Sequence, residues 1–224
     1  MVYQHTGAHI MDAPFDLTQT DKLLSTTRAV RKRLDFEKPV DNQIILDCIS
    51  LSQQAPTGSN TQMWRWVVVT DAEKKAAIAE VYGRGAVYLE QARAALPDED
   101  LQTHRVYDSA DYLVTRLHEA PALVIPCVIG RPSDGAPAVE AASIYGSIMP
   151  AVWSFQLALR SRGLGSCWTT LHLAEEGAVA EILDIPADVQ QVCLLPVAYT
   201  IGTDFKLANR QPPEEITHFN GWSA

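Results

Sequence analysis

The stretch ALVIPCVI, Ala122–Ile129, is eight residues of unbroken apolar character between turn signals. Such a run reads as a buried strand. A loop, Arg131–Pro137, follows it, and then a long apolar helix from roughly Val139 to Ser161. Nothing between Ala141 and Leu159 carries a charge, yet Ser143, Gly146, Ser147, Pro150, Ser154 and Gln156 interrupt the run. That composition fits a buried core helix better than a membrane span. Pro150 is expected to kink the helix or to end its first half. Gly163 and Gly165 are expected to end it.

Other elements follow on either side. Downstream, Cys167–Leu171 reads as a strand, Ala174–Leu183 as a helix and Val192–Thr200 as a strand, before a tail from Arg210 to Ala224 that is Pro-led, acidic and then aromatic. Upstream, Trp66–Thr70 is a Val-rich strand, and a helix runs from Asp71 to about Tyr82. Asp41 is placed to cap a helix reaching roughly Gln54, with Ile44, Ile45, Cys48, Ile49 and Leu51 at helical spacing. Asp16 to about Ser25 reads as a polar first helix. The cluster APTGSN, Ala55–Asn60, is a loop. Residues Gly83–Tyr107 show little clean periodicity and read as an insertion or lid, with a helix over Ser109–Glu119 after it. Alternating strands and helices predict an α/β sandwich, an α+β arrangement of helices on a sheet. No internal boundary or repeat divides residues 1–224, so one domain is expected.

Composition narrows the function. The chain has 224 residues, of which 47% are hydrophobic and 20% charged, enough for one core. A formal charge of −9 opposes wholesale binding to nucleic acid or to an anionic membrane surface. Cys48, Cys127, Cys167 and Cys193 lie far apart without CxxC pairing, and the six histidines show no ligand spacing. The cysteines are read as reduced and mostly buried. Met1–Asp21 lacks a secretory pattern. A cytoplasmic protein without a bound metal is the expectation.

Four segments carry candidate chemistry. RAVRKR, Arg28–Arg33, is a basic cluster in an acidic chain; on a helical turn Arg28 and Arg31 would face one way, and guanidinium forks suit phosphate. A solvated basic helix face fits the same run. APTGSNTQMW, Ala55–Trp64, offers Gly58 for close backbone approach and polar side chains at Ser59, Asn60, Thr61 and Gln62; an ordinary turn fits it too. GLGSCWTT, Gly163–Thr170, is no dinucleotide fingerprint, because its glycines follow a helix and precede a strand. The fourth is Arg210 within ANRQPPEE, either a surface arginine or one that joins a phosphate site.

Together these segments resemble the nitroreductase family of flavoproteins. Members show an early R-x-V-R, then A-P-S-G-x-N-x-Q-P-W, then a long apolar helix ending in G-L-G, then a late R-x-P-x-E-E. Here the counterparts are Arg28–Arg31, Ala55–Trp64, Gly163–Gly165 and Arg210–Glu215, in the same order, within a match from about Leu24 to Trp222. Thr27-Arg28-Ala29 stands where many members have Arg-Arg-Ser, Met63 replaces a proline, and Ala198-Tyr199-Thr200 replaces Gly-Tyr-Pro.

The resemblance implies a central, mostly antiparallel sheet flanked by helices, in an intertwined homodimer with FMN bound noncovalently at the interface. By that resemblance Arg28, Arg31 and Arg210 hold the phosphate. Thr57, Gly58, Asn60 and Gln62 contact the ring or ribityl chain, and Trp168, Thr169, Thr170 and Leu171 run beside the ring, with Ala29, Pro56 and Gly165 also expected among the cofactor-binding residues. A stripe of small or compact residues, Ala142, Gly146 and Pro150, suits close helix approach across a dimer; packing inside one subunit suits it as well. NADPH or NADH would deliver hydride, and an acceptor would then take it in ping-pong fashion. No side-chain nucleophile is needed, which agrees with the lack of a triad or paired-carboxylate signature. Tyr82, Tyr88 and Tyr107, in or beside the 83–107 segment, are candidates to stack on a planar acceptor or, alternatively, to pack the core or lid. A nitroaromatic is the leading acceptor. A quinone or flavin, reductive dehalogenation and a non-catalytic flavin-binding role remain the alternatives.

Overall fold

The computed structural model describes residues 13–133 and 135–222. The first twelve residues of the stretch read for a secretory pattern, and the last two of the tail, lie outside them. The chain divides into two compact units, one of Arg28–Thr203 and one made of its two ends, up to Thr27 and from Asp204.

In the unit of the ends, α1 (Leu17–Thr26) starts at Asp16, whose carboxylate accepts the Gln19 N–H at 3.2 Å. The tail holds a short 3-10 turn, Pro213–Glu215, and a stacked pair of His218 and Trp222 rings 4.3 Å apart.

The larger unit is organised about β3 (Ala122–Ile129). Along one edge β2 (Trp64–Val69) pairs with it antiparallel, from Trp64 opposite Val128 to Val69 opposite Leu123. The other edge is shared by β5 (Val189–Gln191) and β6 (Leu195–Thr200). Both β1 (Leu34–Asp35) and β4 (Leu164–Ser166) pair with β6. Every one of these pairings is antiparallel.

Side chains of β3 alternate between two cores. Ala122, Val124 and Val128 join Ile45, Cys48 and Ile49 of α2 (Asn42–Ser52) and Ile148, Val152, Phe155 and Leu159 of α6 (Ala138–Ser161). Leu123, Ile125 and Cys127 join Ile78, Val81 and Tyr82 of α3 (Ala72–Arg84), Leu113 of α5 (Leu101–Arg116) and Val179 of α7 (Glu176–Leu183). Each fully buried Leu or Ile there contributes roughly 2 kcal/mol of burial. Asp41, Asp71 and Asp100 cap α2, α3 and α5 by accepting the N–H of Gln43, Lys74 and Thr103 at 2.8, 2.9 and 3.0 Å. Mixed helix and antiparallel sheet is thus the architecture.

Several local expectations are corrected. The 83–107 segment is mostly helical: α4 (Val87–Ala94) lies within it, and α5 begins at Leu101 rather than Ser109. Its periodicity misleads because Val87, Tyr88, Leu101 and Val106 are exposed instead of facing a core. The 24 residues of α6 run through Pro150. Pro150 and Gly146 are both exposed, so the carbonyl that the proline cannot bond lies where solvent can reach it. Gly163, at φ +77°, follows the helix, whereas Gly165 belongs to β4. Cys167–Leu171 is not a strand: Thr169 alone bridges Leu194, and the chain then tightens into a 3-10 turn, Leu171–Glu175, before α7. The strand expected over Val192–Thr200 begins only at Leu195, as β6, because the Val192 N–H bonds back to the Pro126 carbonyl between β5 and β6.

Cys48, Cys127, Cys167 and Cys193 are free and buried. No helix among the described residues is long and apolar enough to cross a membrane.

One buried group makes the unit sensitive to acid. His172 is fully buried, and neither ring nitrogen has a hydrogen-bond partner among the described residues. Glu176, one turn on, is gripped by the Arg131 fork at 2.8 and 2.9 Å and by the Gln191 N–H at 2.9 Å. Burial drives the His172 pKa down from 6.5 to about 4, against the opposing pull of Glu176. The unfolded chain therefore binds a proton that the folded chain refuses. His172 contributes stability that is complete above about pH 6.5 and is lost as pH falls towards 4, on the order of 3 kcal/mol. Urea midpoints measured from pH 7 to pH 4 should fall more steeply for the wild type than for His172→Leu. Parallel slopes would refute the assignment.

Candidate functional site

The loop after α2 is anchored on α6. The Gly58 N–H donates to Ser147 Oγ at 2.9 Å, and the Trp64 indole N–H donates to the Ser147 carbonyl at 2.7 Å. A Cβ on Gly58 would stand 2.9 Å from Ser143 Oγ, so glycine permits this close seat. Between these anchors Ser59, Asn60 and Gln62 take φ values of 51°, 55° and 50°. Left-handed backbone at non-glycine residues costs on the order of 1 kcal/mol each and persists where surroundings impose it. Pro56, Asn60 and Gln62 are exposed and Thr57 is half-buried. The Gln62 amide donates to Asn60 Oδ1 at 3.0 Å, which pairs their side chains at the surface.

The two early arginines part company. Residues 27–33 contain no helix, so the helical spacing expected to align Arg28 with Arg31 is absent. The backbone is instead tied to β4 by the Val30 N–H to the Ser166 carbonyl at 2.9 Å. Arg28 and Ala29 are exposed. Arg31 is half-buried; it donates to Ser109 Oγ at 3.1 Å and to the Cys167 thiol. Burial pushes that thiol up to about 11 in spite of the guanidinium beside it.

Trp168–Leu171 continues from β4. Trp168 packs on the α2–α6 core, Thr169 is half-buried and Thr170 exposed. The last turn of α3 fastens this segment at three points. The Tyr82 hydroxyl lies 2.8 Å from Thr169 Oγ1. Arg84 forks onto Glu175 at 2.8 and 2.6 Å. Gly85 abuts the Leu171 backbone, and a Cβ there would fall 2.4 Å from the Leu171 carbonyl oxygen. Gly165 is a packing glycine: its Cβ would stand 2.7 Å from Thr200 Cγ2 and 3.1 Å from Val30 Cβ.

Of the three tyrosines, Tyr82 is corrected. Only 1% exposed, its ring fills the α3–α5 core and has no free face for a planar acceptor. Burial also pushes its pKa up to about 12, against the Thr169 hydrogen bond and the Arg31 charge, so the hydroxyl stays protonated. Tyr88 is 57% exposed on α4. Tyr107 is half-buried on α5, with the Arg93 guanidinium 5.9 Å from its ring centre. Arg93 ties α4 to α5 through Asp108 and Asp111 at 3.2 and 2.6 Å. Arg210 is exposed in the unit of the ends and donates to the Asn209 carbonyl at 2.9 Å.

The structure thus gathers Arg31, Tyr82, Ser109, Cys167 and Thr169 from four separate segments. Ser109, Cys167, the anchoring Ser147 and Ser143, against which Gly58 seats, were not singled out as site residues. Hydroxyls within the otherwise apolar α6 were the available signal for the two serines. A cavity of about 490 Å³, lined by Phe36, Glu37, Asp41, Lys75 and Glu119 among others, contains none of the expected site residues. Its Lys75 ammonium is committed to the Ala120 carbonyl at 2.7 Å. Among the described residues no cluster of His, Cys, Asp and Glu could hold a metal ion.

With the geometry in place, known proteins give it a context. The profile of the nitroreductase family matches residues 24–199. An iodotyrosine deiodinase of Thermotoga neapolitana is 30% identical over 177 residues, covering 79% of this chain and 86% of its own. A 5,6-dimethylbenzimidazole synthase of Rhodospirillum rubrum is 27% identical over 184 residues, 80% of this chain and 81% of its own. A crystal structure of oxidised iodotyrosine deiodinase bound to FMN and 3-iodo-L-tyrosine superimposes with a TM-score of 0.69 at 23% identity, covering 90% of this chain and 99% of that one.

The tight seat of Gly85 makes a specific demand. Gly85→Ala forces the α3–α4 corner away from the Leu171 backbone, and relief of such overpacking costs about 1–3 kcal/mol. Chemical denaturation should show that loss, while Gly83→Ala, which meets nothing within 4 Å, should not.

Proposed function

The chain belongs to the nitroreductase family, and on that premise we propose that it binds FMN noncovalently and passes hydride from NADPH or NADH to a small aromatic acceptor, nitroaromatics first. The observation that carries this reading is the half-buried Thr169 and exposed Thr170 on Trp168–Leu171, backed by the Arg31 guanidinium and the Tyr82 hydroxyl. A fixed cation behind a row of hydroxyl and main-chain donors suits a ring that gains negative charge on reduction.

The donor set fits FMN. Arg28 offers a surface cation for the phosphate. Gly58 and the paired amides of Asn60 and Gln62 offer a close, polar edge for the ring or ribityl chain. Arg31, committed to Ser109 and Cys167, is assigned to the ring side rather than to the phosphate. Bound there, FMN supplies reversible hydride chemistry in two separate half-reactions. The residues of the chain position and polarise; none must attack covalently. Its own thiols do not compete, since burial pushes Cys127 up to about 12 and Cys167 up to about 11.

A second copy of the chain is part of the proposal. The α6 face bearing Val139, Ala142, Gly146, Met149, Pro150 and Trp153 is exposed at regular helical spacing, with Val139 at 76% and Trp153 at 42%. Small residues between larger apolar ones suit helix against helix. Reductive dehalogenation is the second reading, favoured by the 30% identity to an iodotyrosine deiodinase.

Anaerobic absorbance spectroscopy tests the reading. The purified protein should show flavin bands that bleach with NADPH or NADH and return on adding a nitroaromatic. Recovery with an iodophenol but not with the nitro compound would select dehalogenation. A protein that stays colourless after incubation with FMN would overturn the proposal. Tyr88→Ala, at the exposed lip of α4, should change relative rates among acceptors without lowering FMN content; an unchanged acceptor profile would remove Tyr88 from the acceptor site.

A further inference from the structure

Ser147 is out of character for its helix. It is 9% exposed on α6, whose other buried residues are apolar apart from Gln156. Its hydroxyl bonds back to the Ser143 carbonyl at 2.7 Å, an arrangement that weakens a helix slightly, and alanine would form the same turn better. What the hydroxyl serves lies outside α6. Chemistry fixes the direction of each bond. A carbonyl only accepts, so Ser147 Oγ donates its one hydrogen to Ser143. A main-chain N–H only donates, so the same oxygen accepts from Gly58 at 2.9 Å. The Ser147 carbonyl accepts the Trp64 indole N–H at 2.7 Å. One residue therefore grips both Gly58 and Trp64, the entry and the exit of a loop in which Ser59, Asn60 and Gln62 are left-handed. At the exit the sheet helps, through the Ile129 N–H donating to the Met63 carbonyl at 3.0 Å. Near the entry the Asn60 and Thr61 N–H groups donate to the Thr57 and Gly58 carbonyls at 3.2 and 3.1 Å. Those bonds curl the loop without fixing where it sits. The Gly58–Ser147 bond does that.

We infer that Ser147 is a positioning residue for flavin binding: through the Gly58 N–H its hydroxyl seats the entry of the Thr57–Gln62 loop on α6, and so holds Asn60 and Gln62 where they meet FMN. The inference rests on the reading of that loop as a flavin-contacting edge. It also narrows the part played by Gly58. Its N–H is committed to Ser147, so the polar contacts of the loop with the flavin come from side chains, those of Thr57, Asn60 and Gln62. Both bonding roles of the Ser147 hydroxyl are taken by the protein itself, and it acts on the flavin only through the loop.

Three variants of the full chain decide the matter, read by the FMN dissociation constant from flavin fluorescence and by hydrogen exchange at the Gly58 amide. Ser147→Ala removes the acceptor, and Ser147→Thr keeps it. Ser161→Ala removes another α6 hydroxyl, one that donates to the Ala158 carbonyl at 2.9 Å and lies outside the candidate site. Ser147→Ala should weaken FMN binding by about five- to tenfold, the scale of one hydrogen bond, and should open the Gly58 amide to exchange. Ser147→Thr should restore both readings, and Ser161→Ala should leave both as in the wild type. An unchanged affinity in Ser147→Ala overturns the inference. So does a loss that Ser161→Ala matches, since the hydroxyl would then serve only the helix. A loss that Ser147→Thr does not restore, once melting shows that variant folded, overturns it as well. If Ser147→Ala fails to fold, the wild type still decides: a Gly58 amide that exchanges as fast as an unbonded one overturns the inference without any variant. A wild type that binds FMN beside an indifferent Ser147→Ala defeats this inference alone; a wild type that binds no FMN defeats the functional reading and this inference with it.

Discussion

The burial of β3 on both faces is the constraint from which the larger unit follows. A strand whose alternate residues all lie in apolar cores must be covered twice, and its two edges must both be paired. Here α2 and α6 cover one side and α3, α5 and α7 the other. The edges go to β2 on one hand and to β5 and β6 on the other. Once those partners are fixed, the ends of the short strands are fixed too. β4 must lie beside β6, and the chain leaving β4 must turn across the top of α3. The candidate site forms where that turn is made.

Neither site segment has more regular structure than a 3-10 turn, Gly58–Asn60 in one and the start of Leu171–Glu175 in the other, so each is held by side chains and close contacts from a neighbouring helix. The loop Thr57–Gln62 carries three left-handed residues and would relax if free. Ser147 holds it on one side and the Trp64 indole secures its exit. The segment Trp168–Leu171 makes one bridge to Leu194, and the last turn of α3 does the rest through Tyr82, Arg84 and Gly85. These fixings differ in strength. The Arg84–Glu175 fork is exposed and contributes little. The Tyr82–Thr169 bond is sealed on one side, where an unmade hydrogen bond is costly. The Gly85 contact is steric and does not depend on charge at all.

How much of this could be read in the amino acids depends on which face of each element is buried. Ala122–Ile129 was legible to the residue, because burial on both faces leaves a short unbroken apolar run bounded by turn signals. Asp41 and Asp71 gave their helices away by local chemistry alone. The 83–107 segment was illegible for the opposite reason: exposed Val87, Tyr88, Leu101 and Val106 scatter apolar residues over outward faces and erase the period. Cys167–Leu171 looked like a strand because its side chains are apolar or hydroxylic; its departure from the sheet is set by tertiary contacts with α3. Arg28 and Arg31 were found as a pair by spacing. Their divergence could not be, since it depends on Val30 bonding to Ser166 from another part of the chain. Tyr82, expected as a candidate to stack on a planar acceptor, is instead sealed in the α3–α5 core, which its spacing beside the 83–107 segment could not reveal.

In the proposed site the same bracing would separate cofactor chemistry from acceptor chemistry. The groups that would face the flavin are braced from the core by α3, α5 and α6, where a change in volume is felt at once. The groups that would meet an acceptor lie on α4 and the exposed side of α5, tied to each other by the Arg93 bridges to Asp108 and Asp111. Exposed ion pairs of that kind constrain weakly. Substitutions on α4 can therefore alter the proposed acceptor surface at little cost in folding, while substitutions at Gly85 or Tyr82 disturb the packing of the core. The physical difference between the two regions is the reason to look for acceptor specificity in the first and for flavin tuning in the second.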